Sequence, residues 1–397
     1  MFSRLLYSYS NKMAIIEQLS DVWKQFISFE SISELWKNQP TYLLVQMLFI
    51  MGGAVTLIHA LTNGGRRPLL WLCIICHGLV IESICYIMPD IDNFWHSTAP
   101  VMFFRHRLPL YVIILYSVFY YIAIEIAYRT NKTKVGFIVT VGLNVFLIDL
   151  PYDIMGIKFV HWTWHDTDPN IEDRMYWVPW TSYYFHMVFS ASFVFWFFIK
   201  GVNLDQTYTF RTEIITSLKA IFLSTPCGIL CFSVLYHPLH DLYDVPTQTI
   251  TVFLISLYIM LSIFKRKPRK MFHRPYTMIL YLTVYYSTFL CFAIWGKPEN
   301  EISIGPHEEI GPCNVTVSSF GTELKKRKYL CIEDYNEDFD FHCVNDVPPQ
   351  HSLMYTICGT PFKNRIEYII LIITIIIVSF THFNESFKII KQTKKSH

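Results

Sequence analysis

Long apolar runs separated by short polar segments set the pattern of this chain. Crossing the hydrocarbon core of a bilayer takes about 20 mostly apolar residues. Nine stretches qualify: 41–61, 69–88, 108–128, 135–157, 181–199, 214–236, 247–264, 276–295 and 366–383. The pattern predicts an all-α fold, a polytopic transmembrane helix bundle. Pro151 lies between Asp149 and Asp153 in the fourth stretch and predicts an early end or a break near the interface. Pro226, flanked by Thr225 and by Cys227 and Gly228, predicts a kink in the sixth.

Four regions follow from the pattern: an N-terminal segment 1–40, spans one to eight over 41–295, a polar loop 296–365, and a last span with a basic tail, 366–397. The N-terminal segment has no short uninterrupted apolar core with a small-residue cleavage site, so it does not read as a signal peptide. It spaces Ile16, Leu19, Trp23, Phe26 and Ile27 among Glu17, Asp21, Lys24 and Glu30. That spacing suits an amphipathic helix lying in the membrane interface or on the protein's own surface.

Composition agrees with a bilayer as solvent, since 52% of the 397 residues are hydrophobic, 17% aromatic and only 16% charged. A net charge of +2 gives no support to a nucleic-acid partner. The positions of the cations say more. Arg66 and Arg67, then Arg129, Lys132 and Lys134, then Lys200 and Arg211, then the Lys265–Arg274 cluster fall in alternate loops. Cations near span ends mark the cytosolic side, which puts the N-terminus in the lumen or outside and the C-terminus in the cytosol.

The 296–365 loop then faces the lumen, where Cys313, Cys331, Cys343 and Cys358 read as two disulfides with three possible pairings. The same loop carries Asn314-Val315-Thr316, a glycosylation acceptor that has meaning only on that side. The sequons at Asn131 and Asn384 fall on the cytosolic side and are expected to stay unmodified. Lys394 and Lys395, fourth and third from the end, resemble a dilysine signal read by coat proteins that retrieve membrane proteins to the endoplasmic reticulum. They also suit a plain basic stop-transfer tail.

Ionisable residues inside spans are costly and point to function. Glu82, Asp149, Asp153 and His186 lie toward the lumenal ends of their spans, and the adjoining loops add His161, His165, Asp166, Asp168, His237, His240 and Asp241. Asp149 with Asp153, and His161 with His165, are four apart and would share a helix face if helical. Paired carboxylates and imidazoles suit an acid–base or a metal site. Metal candidates are His161, His165, His237, His240 and Asp241, and no cofactor can be named. Trp162, Trp164, Trp180 and Tyr183 would form an aromatic wall against a substrate, or an ordinary interfacial belt. Cys73, Cys76 and His77 match a haem-attachment spacing but sit inside a span, where packing is the simpler reading.

The segment from His161-Trp-Thr-Trp-His through Trp177-Val-Pro-Trp180 resembles an uncharacterised animal family of multipass membrane proteins, which implies no activity. More remotely, Glu82 with the order Asp, Gly156, Trp-Thr-Trp, Pro179, Trp180 looks like the pattern of membrane carotenoid hydratases. That likeness would imply a buried, protonated carboxyl facing aromatic rings, with Glu82, Asp149 or Asp153 as the acid. The function expected is an endomembrane enzyme acting on a lipid or isoprenoid-like substrate at a lumen-facing His/Asp/Glu site. The alternative is a non-enzymatic transporter or assembly factor. The enzyme reading requires at least one of His161, His165, His186 and His237 to come within hydrogen-bond reach of Glu82, Asp149 or Asp153.

Overall fold

The computed structural model describes residues 26–88, 91–130, 132–164, 169–264, 276–319 and 322–387. Its helices follow the apolar runs: α1 (Ile32–Asn38), α2 (Pro40–Asn63), α3 (Arg67–Ile87), α4 (Leu110–Arg129), α5 (Lys134–Lys158), α6 (Trp180–Phe197), α7 (Phe210–Phe222), α8 (Ser224–Leu242), α9 (Thr247–Ser262), α10 (Tyr276–Trp295) and α11 (Arg365–Phe387). Six of them, α2 to α5, α10 and α11, are long and apolar enough to cross a membrane. A seventh crossing arises if α7 and α8, bent by 43° at their junction, form one span. The chain is an integral membrane protein of helical build. α6 and α9 stand outside the six: α9 has only 16 residues, and α6 is diluted by Tyr, Trp, Ser and His.

α4 and α5 form the centre, 89% and 83% buried, whereas α11 at 28% lies on the rim. The outer side of α11 exposes Ile366, Ile370, Ile373 and Ile377, the i, i+4, i+7, i+11 row expected of a surface facing acyl chains. α6 packs along α5, and α9 lies against both.

Pro151 does not end or break the fourth span, because α5 runs through it to Lys158. A helix-interior proline leaves the carbonyl four residues back without its donor. Here Tyr286 Oη donates to the Leu147 carbonyl at 2.9 Å and Tyr285 Oη to the Ile148 carbonyl at 2.8 Å. Tyr286 of α10 thus replaces the lost bond and Tyr285 adds one at the next carbonyl, and the helix keeps its course. The kink expected near Pro226 is the α7–α8 bend.

The N-terminal helix expected to include Phe26 and Ile27 takes in Phe26 and stops there. Ile27–Phe29 is instead a strand paired with Val101–Phe103, and residues 1–25 lie outside the described residues. The 296–364 insert, expected as a small disulfide-linked loop domain, is built on strands. Its strands Phe339–Asp340, Met354–Gly359 and Ile302–Pro306 form one antiparallel sheet over a small core of Val160, Ile310, Leu330, Phe339, Tyr355 and Ile357. Of the three pairings open to the four cysteines, the structure has Cys313–Cys331 and Cys343–Cys358.

The connections sort by end. Strand Phe94–His96 pairs with Trp162–Trp164, and Thr98 N donates to the Ile304 carbonyl of the insert at 2.8 Å. Lys158 at the end of α5 reaches Asp338 of the insert at 3.0 Å. At the opposite end, Arg66 N meets the Leu204 carbonyl at 2.9 Å and Thr133 N the Phe264 carbonyl at 3.2 Å. The cationic loop residues 265–274, and Asn131, lie outside the described residues.

Candidate functional site

The fourfold spacing of Asp149 and Asp153 becomes one face of α5, and that face is covered by α6. Both carboxylates are buried, at 1% and 4% exposure, in a core where an uncompensated charge is expensive. Ser182 Oγ donates to Asp153 Oδ2 at 2.8 Å. His186, one turn further along α6, brings Nε2 to 3.4 Å from Asp149 Oδ2. One donor atom from each of Asp149, Asp153 and His186 lies within 4.8 Å of the others. The rings of Phe119 and Phe185 stand at 6.1 and 5.2 Å from the imidazole. Phe119 and Tyr120 come from a π-helical turn of α4, Ser117–Tyr121, a widened geometry frequent at functional sites. Asp149 Oδ2 and the phenol oxygens of Tyr120 and Tyr183 are buried without a hydrogen-bond partner among the described residues.

Other candidate residues stand elsewhere. Glu82 accepts from Tyr116 Oη at 2.7 Å and borders a separate cavity of about 20 Å³ lined also by Cys85, Tyr86, Phe94, Phe104, Arg107 and Leu108, room for about one water. His237 and His240 direct their Nδ1 atoms at Asp241, at 2.9 and 2.8 Å, on a half-exposed turn at the end of α8. His77 stacks on Phe193 and hydrogen-bonds Ser224 Oγ at 3.0 Å, while Cys73 and Cys76 are free thiols. All three residues fit packing.

The helical pairing of His161 with His165 does not form. Trp162–Trp164 is a strand, which sends successive side chains to opposite faces, and His165 lies outside the described residues. His161 Nε2 instead meets Thr41 Oγ1 at 2.9 Å, at the start of α2. The four wall residues separate as well. Trp162 packs on Tyr152 and within reach of His96, and Trp164 on Phe94, whereas Trp180 and Tyr183 pack on each other at the start of α6, which Ser182 ties to Asp153. Gly156 admits Trp162, since a Cβ there would sit 2.4 Å from the indole.

Where the insert meets the bundle, His96, His161 and His307 are buried together with Glu301, which hydrogen-bonds Thr41. Burial holds all three imidazoles down at about 3, with Arg107 adding to the effect on His96 and His307. Burial lifts the Glu301 carboxyl to about 8 against its hydrogen bonds to Thr41. Histidines with lowered pKa bind fewer protons folded than unfolded, so their contribution is complete above pH 6.5 and shrinks as pH falls toward 3. Glu301 acts oppositely between pH 8 and 4.5, and so do Asp92 and Asp338, whose carboxyls burial also holds above their ordinary range.

Sequence spacing singled out Asp149, Asp153 and His186 but not their surroundings. Ser182 was missed, though it lies four before His186 and so on the same face of a helix. Tyr120 and the carbonyl-bonding Tyr285 and Tyr286 carried no local signal. Asn314 is exposed on the insert, and Lys394 and Lys395 lie outside the described residues.

No curated protein and no solved structure matches the chain. A family described as a domain of unknown function (DUF7802) matches residues 8–388, nearly the whole length, and the protein belongs to that family.

Proposed function

We propose that this protein is a membrane enzyme of the early secretory pathway that uses Asp149, Asp153 and His186 for acid–base chemistry on a lipid or isoprenoid-like substrate. The observation that carries the reading is the buried carboxyl pair with an imidazole 3.4 Å away, set among aromatic rings. Two carboxyls this close cannot both ionise cheaply in an apolar core, so one holds a proton at neutral pH and can donate it. The adjacent imidazole offers a place for a proton to return. Rings of Phe119 and Phe185 would face positive charge developing on an alkene.

The topology proposed with it has nine crossings, counting α7 with α8 as one and adding α6 and α9. The N-terminus and the insert then face the lumen and the C-terminus the cytosol. The gathering of alternate connections at the same end supports this reading, as do two disulfides in the insert. Retention in the endoplasmic reticulum would rest on Lys394 and Lys395 and their coat-protein readers.

The test is lipid analysis of membranes from cells lacking the protein and complemented with wild type, Asp149→Asn or His186→Gln. Both variants are expected to leave a lipid precursor that the wild type consumes, and to carry the same glycosidase-sensitive mobility shift, lost in Asn314→Gln. Identical lipid profiles in all lines would reject the enzyme and favour transport or assembly. A missing shift in wild type would reverse the orientation.

A further inference from the structure

We infer that Asp149, Asp153 and His186 hold one divalent transition-metal ion, with zinc as the reference ion. This rests on the same cluster as the proposed function and changes its proton donor: with an ion bound both carboxyls are ionised, and water on the ion would take the place of the protonated carboxyl. The first support is geometric. His186 Nε2 and Asp149 Oδ2 are 3.4 Å apart, and neighbouring donors around a tetrahedral zinc with bonds of about 2.0 Å stand about 3.3 Å apart. Asp153 supplies a third donor within the same 4.8 Å group.

The second support is charge. Among the described residues no Lys or Arg pairs with Asp149 or Asp153. A dication with two carboxylates and a neutral imidazole makes a site of no net charge, which removes the penalty of two like charges in a bundle core. Facing helices of a bundle are also the usual source of such ligand sets.

The third support comes from unsatisfied polar atoms. Tyr120 and Tyr183 are each 0% exposed, and their hydroxyls have no hydrogen-bond partner among the described residues. Tyr120 follows Phe119, whose ring stands 6.1 Å from that of His186, and Tyr183 follows Ser182, which bonds Asp153. Buried phenols are normally satisfied. Two such hydroxyls on the elements that carry the cluster's neighbours, and an Asp149 oxygen in the same state, are polar groups left for an ion and its coordinated water to satisfy. Carboxylate and imidazole donors suit zinc, iron(II) or manganese(II) over copper(I), which prefers sulfur.

The experiment uses the full-length protein in detergent, stripped with a chelator, reloaded with Zn²⁺ and desalted. Wild type is expected to retain stoichiometric zinc, to unfold at higher temperature with it than without, and to show visible d–d absorption when loaded with Co²⁺. Asp149→Asn and His186→Ala should fall to the metal-free background, while His237→Ala, which alters the exposed His–Asp turn, should keep its zinc. Failure of wild type to retain zinc, cobalt or manganese overturns the inference, whatever the variants do. So does zinc that survives Asp149→Asn and His186→Ala but leaves with His237→Ala. Bound metal with an unchanged lipid profile would sink the enzyme and spare the metal. A changed lipid profile without metal would do the reverse, leaving a proton shared between the carboxyls.

Discussion

Changing Lys158 to Met is expected to destabilise the protein by about 3–5 kcal/mol and to expose the insert to protease, the cost typical of breaking a buried ion pair on one side. Lys158 Nζ is almost wholly buried and meets both oxygens of Asp338 at 3.1 and 3.0 Å, Thr360 Oγ1 at 3.0 Å and the Pro361 carbonyl at 3.2 Å. One cation at the end of α5 therefore satisfies four acceptor atoms on both sides of the strand Met354–Gly359. Burial already holds the Asp338 carboxyl above its ordinary range, with Lys158 and Thr360 pulling it back down. Without the lysine, Asp338 would have to take up a proton or leave the interface. Limited proteolysis in detergent, read by cleavage within residues 296–364 and paired with a thermal melt, measures both effects. Wild-type cleavage together with a wild-type melting temperature would show that the insert is held by its sheet contacts alone.

A comparable loss, again about 3–5 kcal/mol, is expected at the opposite end from Arg66→Leu. Arg66 is 0% exposed. Its Nε donates to both carboxylate oxygens of Glu213 at 2.9 and 3.0 Å, and Nη2 to the Phe197 carbonyl at 3.2 Å. The guanidinium lies 4.2 Å over the Phe197 ring and 5.0 Å from that of Tyr208. Lysine cannot reproduce a planar group that stacks and forks at once, so Arg66→Lys should recover little. The double change Arg66→Leu with Glu213→Leu should recover much of the loss, because most of the single-mutant cost is the carboxylate left buried and unpaired. Thermal melts of the single and double variants form the cycle. A double variant no more stable than Arg66→Leu would place the loss in packing and stacking rather than in the orphaned charge.

The helices were legible because helix and span are local properties. Apolar runs of bilayer length announce α2 to α5, α10 and α11, and the fourfold spacing of Asp149 and Asp153 fixes their common face on any helix. Four cysteines in one polar insert likewise announced disulfides. Local pattern misjudged Pro151, because what rescues α5 is a pair of hydroxyls on α10, more than 130 residues away. It also paired His161 with His165, where the chain is extended and Thr41 supplies the partner across 120 residues.

Tertiary structure alone decided which cysteines join, that the insert folds as a sheet, and that Lys158 anchors it to α5. It also decided which of several histidines meets the carboxyls. His186 does so because α6 returns antiparallel along α5 and brings its first turns level with the end that carries Asp149 and Asp153. Spacing along one chain segment reports the geometry of that segment, since 3.6 residues per turn is built into the backbone. Which segments then meet depends on how whole apolar faces pack and on where buried polar groups can be satisfied, and neither is written in any single stretch of sequence.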